Sequence, residues 1–183
     1  MRNRQLLIEE CEVPARSVLD ARVVEAAFFR DAYRLPLARS PQAGVVDIFF
    51  GVFGHHPLWM KRVLLLRNHL AALCGLEVAA AAEIMKPDTK QSWAVGDKIG
   101  PWPIFSLTPN ELVAGRDNKH LDFRLSVLKE EAKEEGVGMT HVVISTVCTT
   151  HNAFGKIYLF FIIPFHRWGV KQLLSRAIAA GRL

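Results

Sequence analysis

The chain has 183 residues, half of them hydrophobic and 22% charged, a balance that supports one domain with a real core and excludes a disordered chain. Its net charge of +5 is unevenly spread, because no acidic residue follows Glu135 while Lys156, Arg167, Lys171, Arg176 and Arg182 do. Three widely spaced cysteines, Cys11, Cys74 and Cys148, exclude a Cys-x-x-Cys pair and leave no disulfide framework, so reduced thiols are expected.

Residues 1–20 read as an irregular arm broken by Pro14, and residues 21–183 as a single domain. The first ten residues lack the apolar run of a secretory leader, which points to a cytoplasmic protein. Between Asp20 and Ala38 at least one strand is expected, with Tyr33 and Leu35 alternating against Ala32 and Arg34, while Val23–Phe29 also suits a helical turn. Ser40-Pro41 is a helix-start signal for the apolar run from Val45 to Phe53, which stops at Gly54. Leu58, Trp59, Val63, Leu66, Leu70 and Leu73 recur at helical spacing, and Cys74-Gly75 closes that second helix.

A short helix and a turn are expected over 77–91, followed by strands at Ile104–Leu107, Glu111–Ala114 and Leu121–Lys129. Leu121, Phe123, Leu125 and Val127 share one face of the last of these, and Asp122, Arg124 and Ser126 the other. Lys129–Gly138 reads as an exposed hairpin loop leading to a further strand ending at Thr150. Asn152 is a suitable N-cap for a final helix from Ala153 to about Ala180, with a kink or break at Pro164. Its segment Ile157–Ile163 is apolar on every side and too short to span a bilayer.

Strand, helix pair, antiparallel strands and long C-terminal helix is a helix-grip order of the α+β class. Arg67-Asn68, Asp97-Lys-Ile-Gly100, His120-Leu-Asp-Phe-Arg124, His151-Asn152 and Pro164-Phe-His-Arg167 resemble the hallmark segments of an uncharacterised bacterial family, domain of unknown function 2867. That family is similar to the START and polyketide-cyclase (SRPBCC) helix-grip proteins. The resemblance implies a curved antiparallel sheet wrapped around the C-terminal helix, with a helix pair closing one end and a small apolar ligand enclosed.

Asp122 and Arg124, two apart on a strand, point the same way, as an outward structural pair or as a shared ligand site. His151 at a strand-to-helix junction is a candidate acid, base or donor. Arg67, among apolar neighbours, is expected to meet an acidic or carbonyl partner such as Asp97 or Asp122. Cys148 and His151 have metal-like spacing but no further ligands, so no metal and no cofactor is expected. Glycine-rich nucleotide loops, Gly-x-Ser-x-Gly and His-Glu-x-x-His are absent, which removes the common nucleotide-binding, hydrolase and metalloprotease readings.

The leading expectation is a binding protein for a small hydrophobic molecule held between the sheet and the final helix. Its walls would be Phe105, Phe123, Leu125, Val143, Val147, Tyr158, Phe161 and Phe165, with Arg67, Arg124 or His151 orienting a polar group. The alternatives are a cyclase- or isomerase-type enzyme with His151 or Asp122 as base and Arg124 stabilising an enolate, and attachment of the basic C-terminal segment to an anionic membrane or partner. No nucleic-acid partner is expected, and the oligomeric state is left open.

Overall fold

The computed structural model describes residues 8–37, 42–55, 90, 92–132 and 139–183. Among these residues seven antiparallel strands form one curved sheet in the order β1-β2-β7-β6-β5-β4-β3. They are β1 (Glu9–Cys11), β2 (Phe29–Pro36), β3 (Lys98–Ile99), β4 (Trp102–Leu107), β5 (Glu111–Asp117), β6 (Leu121–Ala132) and β7 (Met139–Thr150). Among the described residues three helices accompany them: α1 (Ala21–Ala26), α2 (Val45–Phe53) and α3 (Ala153–Ala179). Strands β3 to β7 run as a meander, and the β1–β2 pair adds to its far edge through β7.

The register of β6 on β7, from Leu121 opposite Thr150 to Ala132 opposite Met139, assigns every side chain to a face. Leu125, Val127, Val142 and Ile144 point inward, joined by Tyr33 and Leu35 of β2 and Leu112 and Ala114 of β5. Against them pack Ile48, Phe49 and Val52 of α2 and Val170, Leu173, Leu174 and Ala177 of α3. The period of two in β6 is thus realised with the apolar set inward, as the sequence indicates. Truncating one of these fully buried side chains costs about 2–5 kcal/mol in a core packed this way.

The outer face has its own cover. The buried Glu111 carboxylate accepts hydrogen bonds from Ser17 Oγ (2.5 Å), the Val18 amide (2.7 Å) and Ser126 Oγ (2.6 Å). Glu130, 5% exposed, takes Arg16 at 2.8 Å and Arg34 at 3.3 Å. The segment expected as an irregular arm therefore contains an edge strand, with Glu10 opposite Tyr33, and then binds across the back of the sheet. Its polar residues reach two glutamates that local sequence cannot connect to it.

Other boundaries differ by strand extension. Strand β5 continues to Asp117 and β6 to Ala132, so ladder pairing extends into the expected loop. Helix α2 begins at Val45, where Asp47 reaches back to the Gly44 amide at 3.2 Å. Ser40-Pro41, the helix expected from Leu58, the segment 77–89 and Arg67-Asn68 lie outside the described residues. Helix α3 runs unbroken through Pro164. Its start is anchored by Asn152, which accepts from the Gly155 amide at 3.1 Å and donates to the Lys119 carbonyl at 3.0 Å. Gly155 lies so close to β6 that a Cβ would meet the His120 carbonyl oxygen at 2.2 Å.

Gly155→Ala is expected to lower stability by about 1–3 kcal/mol, the range for overpacking, and to weaken the Asn152 cap; equilibrium denaturation checks this. For Glu130, burial raises the carboxyl pKa, but the hydrogen bond and charge of Arg16, with Arg34, outweigh it and hold it below the usual range. The group's contribution to stability is therefore full above the ordinary glutamate pKa of about 4.3 and is lost as the pH falls below it. Glu130→Gln should reduce stability at neutral pH by about 1–2 kcal/mol, the arginines being partly solvated. It should also flatten the acid side of the stability profile measured by denaturation across pH.

Candidate functional site

Two polar groupings occupy opposite faces of the sheet. At the outer end, Asp117 lies directly opposite Asp122, a like-charge pair that is unfavourable on its own. Each carboxylate has a separate basic partner. Arg124 binds Asp117 and His151 Nε2 lies 3.0 Å from Asp122, while the Arg124 guanidinium rests 3.7 Å from the centre of the Phe105 ring. Asp122 and His151 are one-third or more exposed, so water and salt screen the pair and it is worth less than about 1 kcal/mol.

The residues expected to share one cavity are therefore not gathered there. Phe123, Leu125 and the half-buried Tyr158 lie on the inner side, whereas Asp122, Arg124, Val143 and Val147 alternate to the outer face and Phe105 joins them beneath Arg124. Phe161 and Phe165 are exposed on the far side of α3. The enolate-type arrangement, with Arg124 and a His151 or Asp122 base in one enclosed pocket, does not form: strand parity points Asp122 and Arg124 away from the helix. Of the expected polar residues, Asp122 and His151 meet among the described residues, while Arg124 lies over Phe105 on the same outer face. Arg67 is outside the described residues, and the described partners of Asp97 are Lys90 (2.9 Å) and the Ala94 amide (3.0 Å).

The inner grouping is built on Asp31. In β2 the inward positions are Phe29, Asp31, Tyr33 and Leu35, a carboxylate set in an apolar row, and its side chain is only 1% exposed. A buried carboxylate demands partners. Tyr33 donates its hydroxyl to Asp31 at 3.2 Å, and His166 Nε2 approaches both carboxylate oxygens at 3.3 Å. The His166 ring stands edge-on to Phe29 with centroids 5.4 Å apart, and the Arg167 guanidinium lies 5.6 Å from the Phe29 ring centre. Burial, followed by the Asp31 charge, pushes the Tyr33 phenol far above its ordinary range. The same two causes raise the neighbouring Cys148 thiol to about 12, which makes it an unreactive core thiol rather than a nucleophile or metal ligand. Among the described residues no three His, Cys, Asp or Glu side chains converge as a metal site.

Beside this cluster β1 ends at Cys11, and among the described residues no strand pairs with the first residues of β2 on that side. An open cleft of about 580 Å³ lies there, lined by Glu10, Cys11, Glu12, Val13, Ala27 to Asp31 and Arg167. Val13, Ala27, Phe28 and Phe29 form its apolar portion. Glu12 lies 3.8 Å from Arg30, and Glu10 binds Lys171 at 3.0 Å. Arg167 has no ion pair among the described residues. Asp31 was detectable in the sequence as a carboxylate on the parity of Tyr33 and Leu35. His166 was not, because its direction depends on the rotation of α3 about its axis.

A mixed α+β domain with a long helix across one face of an antiparallel sheet, and a polar cleft at the sheet edge, is the class of object described. The chain belongs to the family described as "Protein of unknown function (DUF2867)", whose model matches residues 23–173. No curated protein and no solved structure matches it.

Because Tyr33 and Tyr158 are the only tyrosines, the Asp31 cluster can be read by ultraviolet titration. A phenol whose folded pKa is raised contributes stability below its unfolded pKa of about 10, which is lost as the pH rises toward the folded value. Tyr33 should ionise only with alkaline unfolding, and Asp31→Asn should lower its pKa. A Tyr33 that titrates normally in folded protein would refute the cluster.

Proposed function

We propose that this protein binds a small amphiphilic molecule with an anionic head in the cleft between the β1–β2 edge and α3. The observation that carries the reading is Arg167: a cation on the cleft wall, without an ion-pair partner among the described residues, stacked over Phe29 beside an apolar floor. The cleft volume is within the range of small-molecule sites, about 300–1,000 Å³. Arg30 supplies a second donor at the rim, and the Asp31–His166 contact holds the helix turn that carries Arg167.

This keeps a small-molecule ligand between sheet and helix but moves it from the centre to the edge. The centre is occupied by Tyr33, Leu35, Phe49, Ile48, Ile144 and Leu174, each under 2% exposed apart from Phe49 at 2%. The edge cleft is also more polar than an enclosed hydrophobic pocket, which favours an amphiphile over a pure hydrocarbon. The resemblance to the START and polyketide-cyclase helix-grip proteins, which implies a small apolar ligand, supports a ligand with an apolar part.

Calorimetric titration with octanoate tests the proposal. Saturable binding is expected, and Arg167→Ala should weaken it roughly tenfold or more, the equivalent of a lost charge-assisted hydrogen bond, with the unfolding temperature unchanged. No saturable binding of octanoate or phenylacetate, or binding indifferent to Arg167→Ala, would overturn it.

A further inference from the structure

Helix α3 is apolar on two opposite sides. At about 100° per residue, Gly155, Leu159, Val170, Leu173 and Ala177 face the sheet and are buried. Positions 157, 160, 161, 164, 165 and 168 face the other way within an arc of about 140° on the same geometry. Their large side chains are exposed: Ile157 58%, Phe160 71%, Phe161 63%, Phe165 68% and Trp168 52%. Five large apolar side chains in one continuous row on a single helix are far from the scattered exposed hydrophobics of an ordinary surface.

Lys156 and Arg167 fall along one margin of the row and Arg176 along the other; Lys171, within the same arc, is paired with Glu10 of β1 at 3.0 Å, and α3 itself contains no acidic residue. We propose that this outward face of α3 is a docking surface for an anionic lipid bilayer, with the helix lying in the interface, its aromatic row among the acyl chains and its lysine and arginines at the headgroups. Aromatic side chains framed by cations are the composition of interfacial helices. Among the described residues no helix is long and apolar enough to cross a membrane, so the geometry is that of a helix on the surface rather than through it.

A second copy of the chain fits this face less well. A two-fold contact through the same row would bring the Lys156, Arg167 and Arg176 margins of two identical helices together with no carboxylate on either to separate them. An anionic bilayer supplies that missing negative charge, and basic residues near such a surface each strengthen binding several-fold.

Co-sedimentation of the full chain with vesicles of equal parts phosphatidylcholine and phosphatidylserine, compared with phosphatidylcholine alone, tests the proposal. Binding at least tenfold tighter to the anionic vesicles is expected, weakening as salt is raised. Phe160→Ser with Phe161→Ser should abolish it, and Lys156→Glu with Arg176→Glu should weaken it roughly tenfold. These exposed substitutions should leave the far-ultraviolet dichroism and the unfolding temperature unaltered, so that lost binding is not lost folding. In membrane-bound protein Trp168 fluorescence should shift to the blue, identified as the part of the shift missing from Trp168→Phe. Failure to bind anionic vesicles would overturn the proposal. So would binding that ignores lipid charge and both double substitutions, or a concentration-dependent dimer that Phe160→Ser with Phe161→Ser converts to monomer.

Discussion

The twelve-pair ladder between β6 and β7 is the constraint on which the other elements depend. Its register decides which residues look toward α2 and α3 and which look outward, and a slip of one residue would exchange the two sets. It also fixes where β7 ends, and so where Asn152 stands to cap α3 against the Lys119 carbonyl. The backbone approach at Gly155 then leaves the helix one place to begin. Core packing, the position of His166 and the outward direction of the aromatic row all descend from that register.

A sheet with buried positions on both faces needs two covers. Inside, α2 and α3 supply apolar side chains. Outside, the cover is a short irregular segment with little surface of its own to bury, so it is held by polar contacts to Glu111 and Glu130. Charge placement is thereby tied to fold. Carboxylates that would be costly alone on a buried face become attachment points because hydroxyl, amide and guanidinium donors arrive from a distant part of the chain.

The two polar groupings illustrate how burial separates function-like arrangements from surface chemistry. Asp122 and His151 make the shorter contact, 3.0 Å, but they are solvated and strongly screened. Asp31 and His166 are slightly farther apart, yet their carboxylate is nearly inaccessible, adjoins a cleft and alters the ionisation of both Tyr33 and Cys148. A charge in that position influences its neighbours because little water is present to dilute its field.

Local sequence determined the secondary structure well wherever periodicity was strong. The alternation of Leu121, Phe123, Leu125 and Val127 specified a strand and its core face, and Asn152 specified the start of α3, because both signals depend only on near neighbours. Strand ends were less legible: β6 continues through the charged Lys129–Ala132 stretch because β7 offers it a partner, and β1 exists only because β2 does. The family resemblance was likewise readable from short segments, and its model spans most of the chain. The candidate site was not. His151 and Asp122 were recognisable as residues of interest, but Asp31 acquires its importance from His166, 135 positions away, and Arg167 from a gap left where β1 stops. Phe161 and Phe165, expected in the pocket wall, instead lie exposed on the outer side of α3, since a helix apolar on all sides carries no internal mark of which side the sheet will take. Those outcomes depend on distances between segments remote in sequence, and only the folded sheet sets them.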